Sequence, residues 1–159
     1  MKIIEPKVEL LSELNISPES HIARCSRICY GHENREPNQE ADEKMVEGLV
    51  KRGHLSMLRH ASRYISDLQY ASRYLQNHIN HSPYWNYNIG LGYASTNLQE
   101  YMQQEIEKES VIGVSNSKFL EECAKHPELF KLYRLTFCIT TQIGTSRELN
   151  RCKLGHCIA

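Results

Sequence analysis

Thr145-Ser146-Arg147-Glu148 has the pattern of a helix start, a threonine cap with a glutamate three residues on, each satisfying a backbone N–H of the first turn. Such a terminus presents unpaired N–H groups and the positive end of the helix dipole, where anions settle. Arg147 and Arg151 are four residues apart and share a helix face, so two guanidinium forks could grip one phosphate; Lys153 adds charge on an adjoining face. The same residues also suit a solvated basic face that Glu148 balances. A second group is Gly53-His54-Leu55-Ser56-Met57-Leu58-Arg59-His60, in which two histidines, a hydroxyl and an arginine follow a helix-ending glycine. A histidine here can donate to a carbonyl or stack on a flat heterocycle, and it titrates near neutral pH. The plainer alternative is a polar connection between a helix and a strand.

The cysteines divide into two sets. Cys25 and Cys29 lie one helical turn apart on an apolar face and read as small core residues. Cys152, His156 and Cys157 resemble half a zinc site, but neither a CxxC pair nor a second half with ligand spacing accompanies them, so no metal is expected. Cys152 lies between Arg151 and Lys153, a setting that lowers a thiol's pKa and would suit a nucleophile. No segment reads as a GxGxxG loop or a P-loop.

The elements that must position these groups follow from local signals. Ile3 to Leu10 alternates partially and predicts an edge strand that tolerates Pro6. Ser17-Pro18-Glu19 starts a helix, with Ile22, Cys25 and Cys29 on one face and Gly31 as its stop. Residues 32–40 read as a loop. A second helix follows from about Glu40 to Arg52, with Ala41, Met45, Leu49 and Val46 inward and Gly53 as its cap. Ala61 to Leu68 is a strand candidate. Residues 70–97, rich in Tyr, Asn and His, give no clear period; Tyr84, Trp85 and Tyr87 there could stack on a ring or fill a subunit contact. Leu98, Tyr101, Met102 and Ile106 mark a helix capped by Ser95 or Thr96, and Phe119, Leu120, Cys123 and Ala124 mark another that Pro127 ends. Leu132 to Thr141 is the clearest strand and runs through Gln142-Ile143-Gly144 into the final helix.

Length and composition agree with one α+β domain. The chain has 159 residues, 40% hydrophobic and 24% charged, which excludes a disordered or fibrous protein. Nineteen basic residues balance nineteen acidic ones, which argues against a broad DNA or membrane binder and confines any anion site to a local cluster. Met1 to Leu11 carries Lys2, Glu5, Lys7 and Glu9, so neither a signal peptide nor a membrane span is expected there. The six cysteines are then expected as reduced thiols in a cytoplasm.

Taken in order, three blocks resemble the flavin-dependent thymidylate synthases, the ThyX or thymidylate synthase complementing protein family. His21 to Gly31 is similar to its "aaRvsY" helix segment, and Gly53 to His60 to its "GHxSxxEH" segment. Thr136 to Lys153 resembles the strand and helix bearing its "RHRxxS" signature, with Ser146 to Arg151 as the lead-in. Tyr93 to Leu98 resembles a helix opening of longer members. The resemblance implies one ThyX-like domain over residues 1–159, with a mixed sheet flanked by helices and 70–130 as a helical insertion between motif blocks. It implies a homotetramer with active sites built from several subunits, FAD as cofactor, dUMP as substrate, methylenetetrahydrofolate as carbon donor and NADPH as reductant. No cysteine nucleophile is required. His54 and Ser56 would sit against FAD, Arg147, Glu148 and Arg151 would hold dUMP, and Arg151 with Lys153 would approach the flavin's phosphates or ring. The chain departs from the pattern at Arg59, where the family has an acid, and at Cys152, Lys153 and His156. Lysine keeps the charge of arginine but loses its fork. The sequence ends at Ala159, before the family's "ExSxRY" continuation, so a truncated member or an inactive nucleotide- or flavin-binding homologue is the alternative expectation.

Overall fold

The structure, a computed structural model, describes residues 5–32, 36–104, 106 and 109–141. Helix α1 (Pro18–Cys29) starts as its residue types require: the Ser17 side chain accepts from Ser20 N, Pro18 opens the first turn and Glu19 follows. Helix α2 (Gln39–Lys51) starts at Asn38, whose side chain accepts from Ala41 N. Val46 and Leu49 face inward as expected, but Ala41 is exposed and Met45 only half-buried. The inward position belongs to Asp42, because its carboxylate meets the buried Arg27 of α1.

Strand β1 (Lys7–Leu11) begins just after Pro6 and pairs antiparallel with β6 (Thr136–Thr140), Lys7 opposite Thr140 and Leu11 opposite Thr136. The strand expected from Leu132 is shorter than its apolar run. Leu129 and Leu132 are buried from a 3₁₀ helix, Pro127–Leu132, so the first apolar residues serve a turn. A second sheet takes the order β3 (Asn86–Asn88), β4 (Tyr93–Asn97), β2 (Ser62–Ser66), β5 (Ile112–Val114), every pairing antiparallel. The α+β class expected from the sequence is therefore present, with the strands in two antiparallel sheets and not one mixed sheet. Residues 70–130, expected as a helical insertion, carry β3, β4 and β5 beside helices α3 (Arg73–His81), α4 (Leu98–Gln103) and α5 (Asn116–Lys125).

The cap of α4 is Asn97, whose side chain accepts from Glu100 N; Ser95 and Thr96 are buried in β4. Helix α5 is capped by Ser115 and buries Phe119 and Cys123, while Leu120 is half-buried and Ala124 exposed.

Strand β2 is covered on both faces. Ile65 packs with Leu68, Leu75, Ile79, Trp85 and Ala94. Tyr64 points into another cluster, stacked on Phe119 with ring centroids 4.1 Å apart. Trp85 is thus a core residue and neither stacks on a ligand nor fills a subunit contact. Ile22, Cys25, Val46, Leu49, Met57 and Leu58 make a further cluster that seats α1, α2 and the following bend.

Candidate functional site

Gly53 sets the bend that carries His54 and Ser56. At φ 72° it takes the left-handed conformation that follows a helix end; its N–H donates to Val50 O and that of His54 to Leu49 O. A 3₁₀ helix, Leu55–His60, follows, and Met57 and Leu58 anchor it in the core. Because those two side chains point inward, His54 and Ser56 are left on the outside, both exposed and neither hydrogen-bonded through its side chain among the described residues. Arg59, in contrast, is engaged: its Nε donates to Gln99 Oε1 at 2.7 Å and its guanidinium lies 5.5 Å from the centre of the Tyr84 ring.

Beneath the bend lies a polar centre that sequence reading missed. Glu13, in the loop before α1, accepts from Ser62 N and Ser62 Oγ, both at 2.9 Å, and from Asn116 Nδ2 at 3.2 Å. The fully buried His21 stands beside it, with Nε2 3.2 Å from Thr136 Oγ1 and 3.7 Å from Glu13 Oε1. Arg24 Nη2 donates to His21 Nδ1 at 2.7 Å and also to Ser12 O at 2.7 Å. Burial, then the neighbouring Arg24 cation, lowers the pKa of His21 to about 4. Cys25, with Sγ 3.8 Å from His21 Nε2, is no nucleophile: burial pushes its thiol up to about 12. The Cys/His/Glu grouping is therefore a neutral thiol and a neutral imidazole beside a hydrogen-bonded carboxylate, a scaffold more than a reaction centre. Only Glu13 lacks any signal in the sequence, since one glutamate in a polar loop looks solvated.

The same centre joins two of the sequence blocks. Thr136, first residue of β6, has its hydroxyl 3.5 Å from His60 O at the end of the bend. The strand that leads toward the Arg147 region thus starts against the segment bearing His54 and Ser56. Arg147, Glu148, Arg151 and Lys153, with the helix start, Cys152, His156 and Cys157, lie outside the described residues.

A groove of about 940 Å³ opens between α2 and α4, floored by Val46, Leu58 and Leu98. Its rim sets Glu19, Glu43 and Glu47 against Lys51 and Arg63, an excess of carboxylate ill suited to a phosphate. Of the site residues expected from the sequence, the two that are described, His54 and Ser56, do not line it. Among the described residues no helix is long and apolar enough to cross a membrane. Compared with protein-family models, with curated proteins and with solved structures, the chain matches none.

Proposed function

We propose that the chain is a flavin-dependent thymidylate synthase-like protein of the cytoplasm. It would methylate dUMP reductively to dTMP, with methylenetetrahydrofolate as carbon donor and NADPH as reductant, and assemble as a homotetramer. The supporting observation is the exposed bend in which His54 and Ser56 are both unengaged. The order of the three sequence blocks adds to it. An imidazole and a hydroxyl without side-chain hydrogen bonds among the described residues suit the edge and face of a flavin ring, so the residues present fit FAD. Bound FAD, once reduced, supplies the electrons; the chain's own residues bind and orient. His54 and Ser56 hold the ring. Arg147, Glu148 and Arg151 hold dUMP, the arginines through charge-assisted hydrogen bonds to phosphate, and Arg151 with Lys153 reaches the flavin's phosphates or ring.

A second reading, a catalytically inactive flavin- or nucleotide-binding homologue, is favoured by Arg59. That guanidinium stands where the family has an acid and is occupied by Gln99 and Tyr84. Flavin absorbance of the purified protein, followed by dUMP titration, tests both readings, and protein that takes up no flavin overturns them. Tritium release from labelled dUMP, given reduced flavin and the folate donor, then separates them. Release supports the enzyme; flavin binding without release leaves the binding homologue.

A further inference from the structure

The ribbon of β1 and β6 has its polarity inside out. In a sheet with one face to water, apolar residues normally turn to the core and polar ones to solvent. Here Lys7, Glu9, Thr136, Cys138 and Thr140 share the face that also carries Leu11, and Leu11 packs against the α1–α2 core. The other face bears Val8 opposite Ile139 and Leu10 opposite Phe137, and Leu135 continues the alternation just ahead of β6. These five are 65% (Val8), 48% (Ile139), 55% (Leu10), 50% (Phe137) and 55% (Leu135) exposed. A register slip of one residue would bury them, so the pairing holds this face outward against its own hydrophobicity.

We infer that this face is an interface between two copies of the chain, stacked ribbon on ribbon. Among the described residues no charged side chain lies on it, since Lys7 and Glu9 pair with each other on the opposite face, so an acidic or basic partner finds nothing there to pair with. Five half-exposed large side chains offer roughly 500 Å² per copy, and two copies together bury roughly 1,000 Å², the size at which specific interfaces begin. The antiparallel pairing relates the Val8–Ile139 pair to the Leu10–Phe137 pair by a local two-fold. Two ribbons stacked about 10 Å apart can therefore set pair against pair as a small two-layer core. A two-stranded sheet is marginal alone and gains most from such a cover. The inference gives the self-association proposed above a surface, yet it stands on the ribbon alone and needs no flavin.

Sedimentation equilibrium on the full chain, over a wide concentration range, should give the mass of at least two copies. Phe137→Asp, with its fold checked by far-UV circular dichroism, should weaken self-association by roughly 30-fold or more, as loss of a central aromatic anchor does. Met102→Asp, in the groove between α2 and α4, should leave the mass unchanged. A wild-type chain that stays monomeric, or a folded Phe137→Asp of undiminished mass, overturns the inference. Should Phe137→Asp lose its fold, hydroxyl-radical labelling of wild-type Leu135, Phe137 and Ile139 decides: labelling that rises as dilution halves the mass supports the interface, and constant labelling overturns it. Flavin absorbance on the same samples keeps the two proposals apart, since a colourless dimer fails only the flavin reading.

Discussion

Arg24 can only donate, so the His21 nitrogen facing it must accept, and the imidazole's one proton sits on Nε2 toward Thr136. A second proton, on Nδ1, has no room against that guanidinium. The folded pKa is about 4 against an ordinary 6.5, so as pH falls the unfolded chain takes up the proton first. Stability from this residue is therefore complete above about pH 6.5 and drains away down to about pH 4, a loss of about 3 kcal/mol. His21→Gln should flatten that part of the pH profile of unfolding free energy; a slope equal to the wild type's would mean that His21 is charged in the fold. For the proposed nucleotide site, Arg151→Ala should weaken dUMP binding by roughly 1.5–3 kcal/mol, the usual size of a lost charge-assisted contact. Calorimetric titration reads this directly, and an unchanged affinity removes Arg151 from the site.

Helices α1 and α2 are joined by one buried ion pair, Arg27 with Asp42. Removing one partner strands the other's charge in the core, so Asp42→Ala should cost about 3–5 kcal/mol in urea unfolding. The apolar double replacement Arg27→Met with Asp42→Leu should recover most of it, because neither charge then needs a partner. Where α2 meets the bend, Gly53 has no heavy atom within 4 Å of where a Cβ would stand. Gly53→Ala is then penalised by its positive φ alone, about 1 kcal/mol. A much larger loss in the same unfolding measurement would point to a steric neighbour.

Across the whole molecule Glu13 links what the chain order separates. It ties the loop before α1 to β2 through Ser62 and to the start of α5 through Asn116, and its Oε1 lies 3.4 Å from Thr136 of β6. Among the described residues the two sheets share no strand pairing, and this carboxylate is one of the hydrogen-bonded links between them, beside the Tyr64 hydroxyl, which accepts from Arg134 N at 3.0 Å. Glu13→Ala leaves the Ser62 donors without their acceptor and should cost about 3 kcal/mol. Amide hydrogen exchange should quicken at both Ser62 and β6. Faster exchange at Ser62 alone would show that the sheets are held by packing instead.

What the residues determine by themselves is local. Ser17-Pro18-Glu19 starts its helix because a hydroxyl cap and a fixed φ act within one turn, and Gly53 ends α2 because the left-handed conformation excludes most side chains. The strand character of Thr136 to Thr140 and the inward turn of Phe119 and Cys123 are legible in the same way. Of the candidate site, the exposed His54 and Ser56 were legible as a polar bend after a helix end. Tertiary structure decided the rest, since the deciding partner lies far along the chain. Asp42 is buried because of Arg27, and Asn97 rather than Ser95 or Thr96 caps α4 because β4 draws those two into its sheet. Glu13 becomes the centre of the molecule only when Ser62, Asn116 and Thr136 converge on it. Hydropathy and spacing price a charged residue as solvated; only three-dimensional neighbours can replace the water it gives up.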